Sequence, residues 1–179
     1  HSILKQYEFI KVVCEISAML LTKLQELWGG TRIDSEKNKH FVDLAKIDYI
    51  NNNFGSLKIA IYYKFIEEYE MLVKYLKKPI ASNADEFNSK DDIIYLSQFR
   101  SGREGVDLRT ADALVFYSID HAWLSYEQTK NRIQNLHRET KPIIYLLISD
   151  LGMKKKFESL DRRILDMVMK KKKYTTKHF

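Results

Sequence analysis

Apolar and polar positions first follow a helical spacing along the chain. Residues 3–28 contain neither proline nor glycine, and apolar side chains recur there every three or four positions. Gly29 and Gly30 then end the pattern, as glycines commonly end a helix. Residues 36–50 continue this spacing, and one face collects apolar side chains: Phe41, Leu44, Ile47 and Ile50. These stretches predict a helical N-terminal extension over residues 1–55.

The pattern then changes to short apolar runs that are rich in β-branched and aromatic residues. Such runs between polar turns predict buried strands, over residues 57–63, 92–96, 114–117 and 143–148. Helical spacing lies between and after them, over residues 65–76, 125–137 and 153–169. Polar residues 79–90 predict a surface connection. Alternating strands and helices predict an α/β domain whose mainly parallel sheet is covered by helices on both faces.

The composition is globular with a basic bias. Apolar residues make up 45% of the chain, charged residues 30%, and the net charge is +6, which favours a polyanionic partner. Cys14 is the only cysteine, which excludes an internal disulfide and a thiolate zinc cage. The scattered histidines have no metal-ligand spacing, so no metal site is expected. Because no apolar run approaches the roughly 20 residues of a membrane span, we expect no membrane association. The single cysteine fits a reducing, cytoplasmic location.

A glycine-containing loop follows the second predicted strand. It carries Ser97, Gly102, Arg103, Gly105 and Asp107. Ligands of open parallel sheets bind outside the carboxyl ends of the strands. Glycines let the backbone approach such a ligand, and a carboxylate accepts hydrogen bonds from hydroxyls. From these residues alone, an ordinary turn with a solvated aspartate remains an alternative.

The order of several segments resembles the C-terminal RecA-like domain of superfamily-two helicases of the DEAD/DEAH class, Swi/Snf-like or phage-type. The segment Gly105-Val106-Asp107-Leu108, followed by Ala111-Asp112 and an apolar strand, resembles motif V. Residues 58–65 resemble motif IV, and residues 126–132 resemble the start of motif VI. Residues 23–27 resemble the segment that leads into the domain.

This resemblance covers most of residues 20–150. It implies a RecA-like lobe of the P-loop NTPase type over residues 56–170, which the basic tail of residues 171–179 follows. The resemblance to Swi/Snf-like and phage helicases also favours DNA over RNA as the partner. It favours a bacterial or phage-infected cell as the place where the protein acts.

The resemblance further implies one half of an ATP site. Residues that match Gly105 and Asp107 lie near the nucleotide in the family, and Gln128 is placed beside them. Motif VI arginines reach the ATP phosphates across a cleft between two lobes. Arg132 follows Gln128 at the family spacing, but Asn135 stands where a second arginine is usual.

Arg138, three residues beyond Asn135, is the candidate for the missing arginine. The catalytic candidates are therefore Arg132 and Arg138. A polar, solvated helix with several basic residues is the plainer interpretation of residues 125–137.

Nucleic-acid contact is implied for the loop after the second predicted strand. The position that matches Ser97 faces the strand backbone in the family, and Gly102 and Arg103 follow it in the same loop. Lysine runs at residues 154–156 and 170–173 can neutralise phosphates, or form a solvated surface.

The chain lacks the G-x-x-x-x-G-K-[ST] phosphate loop. We therefore expect ATP and Mg²⁺ to be held mainly by an N-terminal RecA-like lobe of the same polypeptide, and this chain alone to be inactive. Two alternatives stay open. One is a RecA-like module that docks nucleic acid or protein without catalysis, which Asn135 favours. The other is an unrelated doubly wound enzyme that binds a phosphorylated metabolite.

Overall fold

The computed structural model describes residues 17–99, 106–119, 123–131, 133, 143–149 and 160–175. Within these residues the strands are β1 (Thr31–Ile33), β2 (Lys39–Phe41), β3 (Ile59–Tyr63), β4 (Tyr95–Gln98), β5 (Ala113–Phe116) and β6 (Ile143–Leu146). The helices are α1 (Ser17–Trp28), α2 (Ala45–Asn53), α3 (Ile66–Tyr75), α4 (Ala84–Ser89), α5 (Trp123–Asn131) and α6 (Leu160–Thr175).

A four-stranded parallel sheet with the order β4-β3-β5-β6 forms the centre of the fold. In the register of the two inner strands, Ala60 of β3 lies opposite Leu114 of β5. Strands β1 and β2 form a separate antiparallel hairpin. The order of the parallel strands requires crossovers, and helices lie in the connections. The predicted α/β fold class is confirmed.

Side chains that alternate along each strand bury both faces of the sheet. Helices α2 and α3 cover the face formed by Ile59, Ile61 and Val115. Helix α4, residues 106–111 and the region of α5 cover the face formed by Tyr62, Phe116 and their neighbours. Because both faces are buried, the strands have the continuous apolar runs from which they were predicted.

The glycine stop after the first helix is confirmed. Helix α1 ends at Trp28, and Gly30 adopts a left-handed φ of 87° before β1 begins. Residues 1–16, which complete the predicted helix, lie outside the described residues. Helices α2 and α3 also match their predictions in part, since Ile47 and Ile50 are buried on α2, while Tyr69 of α3 is exposed.

The helix predicted over residues 36–50 is wrong in its first half. Residues 36–38 are a turn and residues 39–41 are β2, so the helix begins only at Ala45. The carboxylate of Asp34 accepts hydrogen bonds from the backbone N–H groups of Glu36 (3.0 Å) and Asn38 (2.8 Å). This local bonding stabilises a turn rather than a helix start, because short acidic side chains compete for backbone donors.

The surface connection predicted over residues 79–90 contains the short helix α4, and its Phe87 is completely buried. Asn83 caps the start of this helix, since its side chain accepts a hydrogen bond from the N–H of Glu86 at 2.8 Å. The helix predicted over residues 125–137 is described as Trp123–Asn131, and the final helix as Leu160–Thr175. The predicted tail of residues 171–179 therefore begins within a helix.

The boundary between extension and core at residue 55 stays a prediction. Within the described residues, Ile47 and Ile50 of α2 share a hydrophobic cluster with Ile59 and Ile61 of β3. None of the described helices is long and apolar enough to cross a membrane.

Candidate functional site

The carboxyl ends of the parallel strands meet at one edge, where polar side chains hold the segment that leaves β5. We call residues 117–119 the β5 exit. Lys46 Nζ donates to the carbonyl oxygen of Tyr117 at 2.9 Å. Gln25 Nε2 donates to the carbonyl oxygen of Ile119 at 2.6 Å. Ser118 Oγ donates to the carboxylate of Glu68. Side chains of α1, α2 and α3 thus hold three consecutive residues.

Glu68 joins the exits of β3 and β5. Its Oε2 accepts hydrogen bonds from the backbone N–H groups of Lys64 (2.8 Å) and Phe65 (3.0 Å), while Oε1 accepts from Ser118. Complete burial raises the pKa of the Glu68 carboxyl above its usual value, since removal from water disfavours the charged form. A Cβ at Gly29 would lie 2.2 Å from Glu68 Oε1, so a side chain there would displace the Glu68 carboxylate.

Gln25 also binds the exit of β3. Its Oε1 accepts a hydrogen bond from Lys64 Nζ at 2.6 Å, so its buried amide bridges Lys64 and Ile119. Gln98, the last residue of β4, donates from Nε2 to the carbonyl oxygen of Lys64 at 2.8 Å. The ends of three neighbouring strands are therefore connected through side chains.

Helix α6 is attached to the same edge. Asp161 Oδ2 accepts from Lys46 Nζ at 2.9 Å and from the backbone N–H of Ser149 at 3.3 Å. Ile164 and Val168 of α6 pack on Ile119. The last helix is thereby joined to α2 and to the β5 exit.

Asp107 lies in an exposed turn before β5. Its Oδ1 accepts from the N–H of Arg109 at 3.0 Å, and its carbonyl oxygen accepts from Asn88 Nδ2 of α4 at 2.9 Å. The next residue, Leu108, is completely buried in the cluster that contains Phe87. The backbone is anchored while the carboxylate faces solvent.

Gln128 lies on α5 with its side chain exposed. Tyr126 of the same helix packs on Phe116 of β5, with 5.1 Å between the ring centroids. Tyr126 belongs to the same cluster as Leu108. The turn with Asp107 and the helix with Gln128 therefore cover the same face of the sheet, and each presents a polar side chain to solvent.

Ser97 lies in β4 opposite Tyr62 and is only 7% exposed. The other site residues named from the sequence lie outside the described residues: Gly102, Arg103, Gly105, Arg132 and Arg138. The structure therefore brings the elements that carry Asp107 and Gln128 to one face of the sheet, and all of the site assignments stay predictions.

Two of the residues predicted to bind nucleotide, Asp107 and Gln128, are described by the structure and are exposed to solvent. The exposed Asp107 carboxylate and Gln128 amide can bond ribose hydroxyls or phosphate-bound groups. Across the described ranges, no three His, Cys, Asp or Glu side chains are grouped in a way that could hold a metal ion.

Sequence reasoning missed the side chains that hold the β5 exit. Gln25 lies within residues 23–27, which the helicase resemblance includes, but neither it nor Lys46 or Glu68 was singled out. Glu68 interrupts the apolar face of α3 one helical turn before the buried Met71 and Leu72. A carboxylate at such a position is the signal that indicates a buried polar contact.

No protein-family model matches the chain, and no curated protein matches it at a significant level. Solved structures do. The C-terminal part of the Fun30 ATPase domain matches with a TM-score of 0.57 and 17% identity, over 90% of this chain and 54% of that one. T4 UvsW matches with a TM-score of 0.54 and 10% identity, over 92% of this chain and 36% of that one.

This likeness shows the fold. The chain has a RecA-like α/β fold, as predicted from the sequence, and it shares this fold with the C-terminal part of the Fun30 ATPase domain and with T4 UvsW. It spans about half the length of the first of these chains and about a third of the second.

Proposed function

We propose that this RecA-like lobe is the second core lobe of an ATP-dependent nucleic-acid helicase or translocase, and that it completes the ATP site of a first lobe outside this chain. The observation that carries the proposal is the shared layer of Asp107 and Gln128. Their elements come from separate parts of the chain, yet both cover the sheet face formed by Tyr62 and Phe116. The solved structures with this fold include part of an ATPase domain.

In the proposed mechanism, Asp107 accepts hydrogen bonds from the nucleotide sugar and Gln128 lies beside it. Arg132 reaches the phosphates of ATP held by the first lobe. Arg138 reaches them as well, in place of the arginine that the family has at the position of Asn135. Guanidinium groups stabilise the charge that develops on the transferred phosphoryl oxygens. They reach it only when the cleft between the lobes closes. Closure therefore couples hydrolysis to movement of the lobes.

The nucleic acid is proposed to pass along the end of β4. Gly102 and Arg103 are the candidate backbone contacts, since Ser97, the third residue predicted from the sequence, is buried in β4. Duplex or single-stranded DNA is the favoured partner. The net charge of +6 supports a polyanionic partner. Because phosphate contacts release counterions, binding should weaken steeply with added salt.

The test is ATP hydrolysis by the full-length protein with and without DNA. Arg132→Ala is expected to lower the DNA-stimulated kcat by about 10³-fold, the lower end of the effect of an arginine that contacts the phosphates. Arg163→Ala, which removes an exposed arginine from α6, is the matched control and should keep wild-type turnover. Unchanged hydrolysis by Arg132→Ala would remove Arg132 from the site.

The second candidate function is a RecA-like docking module without catalysis, which Asn135 at the usual arginine position favours. In that case the full-length protein binds DNA but does not hydrolyse ATP. Arg132→Ala and Arg138→Ala then have no hydrolysis rate to lower. A phosphate loop and an acidic magnesium-binding segment in the upstream sequence would instead support the motor.

A further inference from the structure

From the contacts at the β5 exit we infer that Gln25 is a positioning residue for the ATP site, because it holds the β5 exit and thereby the helix α5 that carries Gln128. The inference rests on the proposed function, since it gives Gln25 a role in that same site. Gln25 does not touch the nucleotide in this scheme. It acts through the backbone of Ile119.

The first argument is burial. Gln25 is 1% exposed, although an amide is costly to bury unless its polar atoms are bonded. Both ends of the amide are used: Nε2 donates to Ile119 O at 2.6 Å, and Oε1 accepts from Lys64 Nζ at 2.6 Å. An apolar residue would fill this position of α1 if packing were the only requirement.

The second argument is the target of these bonds. Ile119 is separated from Gln25 by 94 positions in the sequence, and it lies at the carboxyl edge where ligands of parallel sheets bind. Ile119 also packs in one cluster with Tyr126 of α5 and with Ile164 and Val168 of α6. A shift of Ile119 therefore moves the packing surface of the helix that presents Gln128.

The third argument is that the other supports of the β5 exit hold different atoms. Lys46 holds the carbonyl oxygen of Tyr117, and Glu68 holds the hydroxyl of Ser118. With Gln25 removed, these two contacts keep β5 in place. The fold is thus expected to persist, while Ile119, four positions before the start of α5 at Trp123, loses its buried donor.

The experiment compares the full-length wild-type protein with Gln25→Met, which keeps the length of the side chain and removes both polar contacts. We expect kcat for DNA-stimulated ATP hydrolysis to fall by about tenfold or more, since small misplacements of a catalytic group have effects of this size. KM for ATP should stay near the wild-type value, because the first lobe holds most of the nucleotide.

Two further variants separate positioning from general destabilisation. Gln25→Glu keeps an acceptor for Lys64 Nζ but loses the donor to Ile119, so it should lower kcat as Gln25→Met does. It also provides a polar replacement if Gln25→Met does not fold. Lys64→Met leaves the bond to Ile119 intact and should lower kcat much less.

Asn51→Leu is the matched control at the opposite edge of the sheet. Asn51 also bridges two backbone groups, donating to Tyr75 O and accepting from Lys77 N at 3.0 Å each. Hydrogen exchange over residues 116–131 should accelerate in Gln25→Met and stay unchanged in Asn51→Leu. Thermal melting of both variants reports general loss of stability.

The possible outcomes distinguish the inference from the function on which it rests. Wild-type kcat in folded Gln25→Met and Gln25→Glu, in a protein that hydrolyses ATP, would overturn the inference and leave the proposed function standing. An equal loss of kcat in Asn51→Leu would also overturn it, because the effect would then follow stability. If the wild-type protein shows no DNA-stimulated hydrolysis, the proposed function fails and the inference fails with it.

Discussion

Lys46 and Asp161 form an ion pair of 2.9 Å between Nζ and Oδ2, with side-chain exposures of only 9% and 1%. The two residues are 115 positions apart in the sequence. Lys46 also donates to Tyr117 O, and Asp161 also accepts from Ser149 N, so each charge has a second polar partner. The pair therefore attaches the last described helix to the α2 side of the sheet.

Removal of one member of this pair should be strongly destabilising. Asp161→Ala leaves the ammonium group of Lys46 buried without its counter-charge, and we expect a loss of about 3–5 kcal/mol in the free energy of unfolding. Urea denaturation measures it. Glu70→Ala, which breaks an exposed ion pair with Lys39, is the control and should cost at most about 1 kcal/mol. Equal losses in the two variants would contradict the burial of the Lys46–Asp161 pair.

The buried carboxyl of Glu68 should make stability depend on pH. Its pKa is raised by burial above the usual 4.5. The native state therefore binds this proton more tightly than the unfolded chain does. This contribution to stability is complete below pH 4.5 and is lost as pH rises through the folded-state pKa.

Glu68→Gln should remove that part of the pH dependence. The amide can still accept from the backbone N–H groups of Lys64 and Phe65, and it no longer loses a proton. Unfolding free energies measured from acid to neutral pH should fall less with rising pH in this variant than in the wild-type protein. Parallel curves for the two proteins would show that Glu68 does not contribute this dependence.

Gly30 should tolerate no side chain. Its φ of 87° is unfavourable for an L-residue, and an added Cβ would lie 2.2 Å from the carbonyl oxygen of Asp43. We expect Gly30→Ala to lower the free energy of unfolding by at least about 2 kcal/mol, of which the backbone conformation alone accounts for about 1–2. At Gly55 the nearest atom lies 4.0 Å from the added Cβ. Gly55→Ala should therefore stay within about 0.5 kcal/mol of wild type in the same denaturation experiment.

The strands of the sheet could be predicted because burial on both faces makes them continuous apolar runs, as in residues 59–63 and 113–116. The β1–β2 hairpin could not be predicted, because Phe41 and Leu44 keep a helical spacing while the Asp34 carboxylate bonds the turn between the strands. The burial of Phe87 was not predicted, because a single aromatic residue in a polar segment gives no periodic pattern. Periodicity describes local structure only, and both failures depend on single side chains.

The order of motifs predicted Asp107 and Gln128 as site residues, and that assignment stays a prediction. The contacts that hold the β5 exit did not follow. Gln25, Lys46 and Glu68 are separated by about twenty residues each, and the sequence contains no sign that they meet. Their convergence depends on the crossing of the chain from α1 to β5, which only the three-dimensional structure shows.

The support of residues 117–119 by earlier segments has a consequence for how the chain folds. The bonds from Gln25, Lys46 and Glu68 close loops of 94, 71 and 50 residues. Contacts of such long range form slowly, because the chain loses the entropy of closing each loop before the contact contributes any stability. During synthesis, the side chains of Gln25, Lys46 and Glu68 on three helices lack their partners in residues 117–119 until β5 leaves the ribosome. We expect the nascent chain to be most vulnerable to aggregation and proteolysis during that interval.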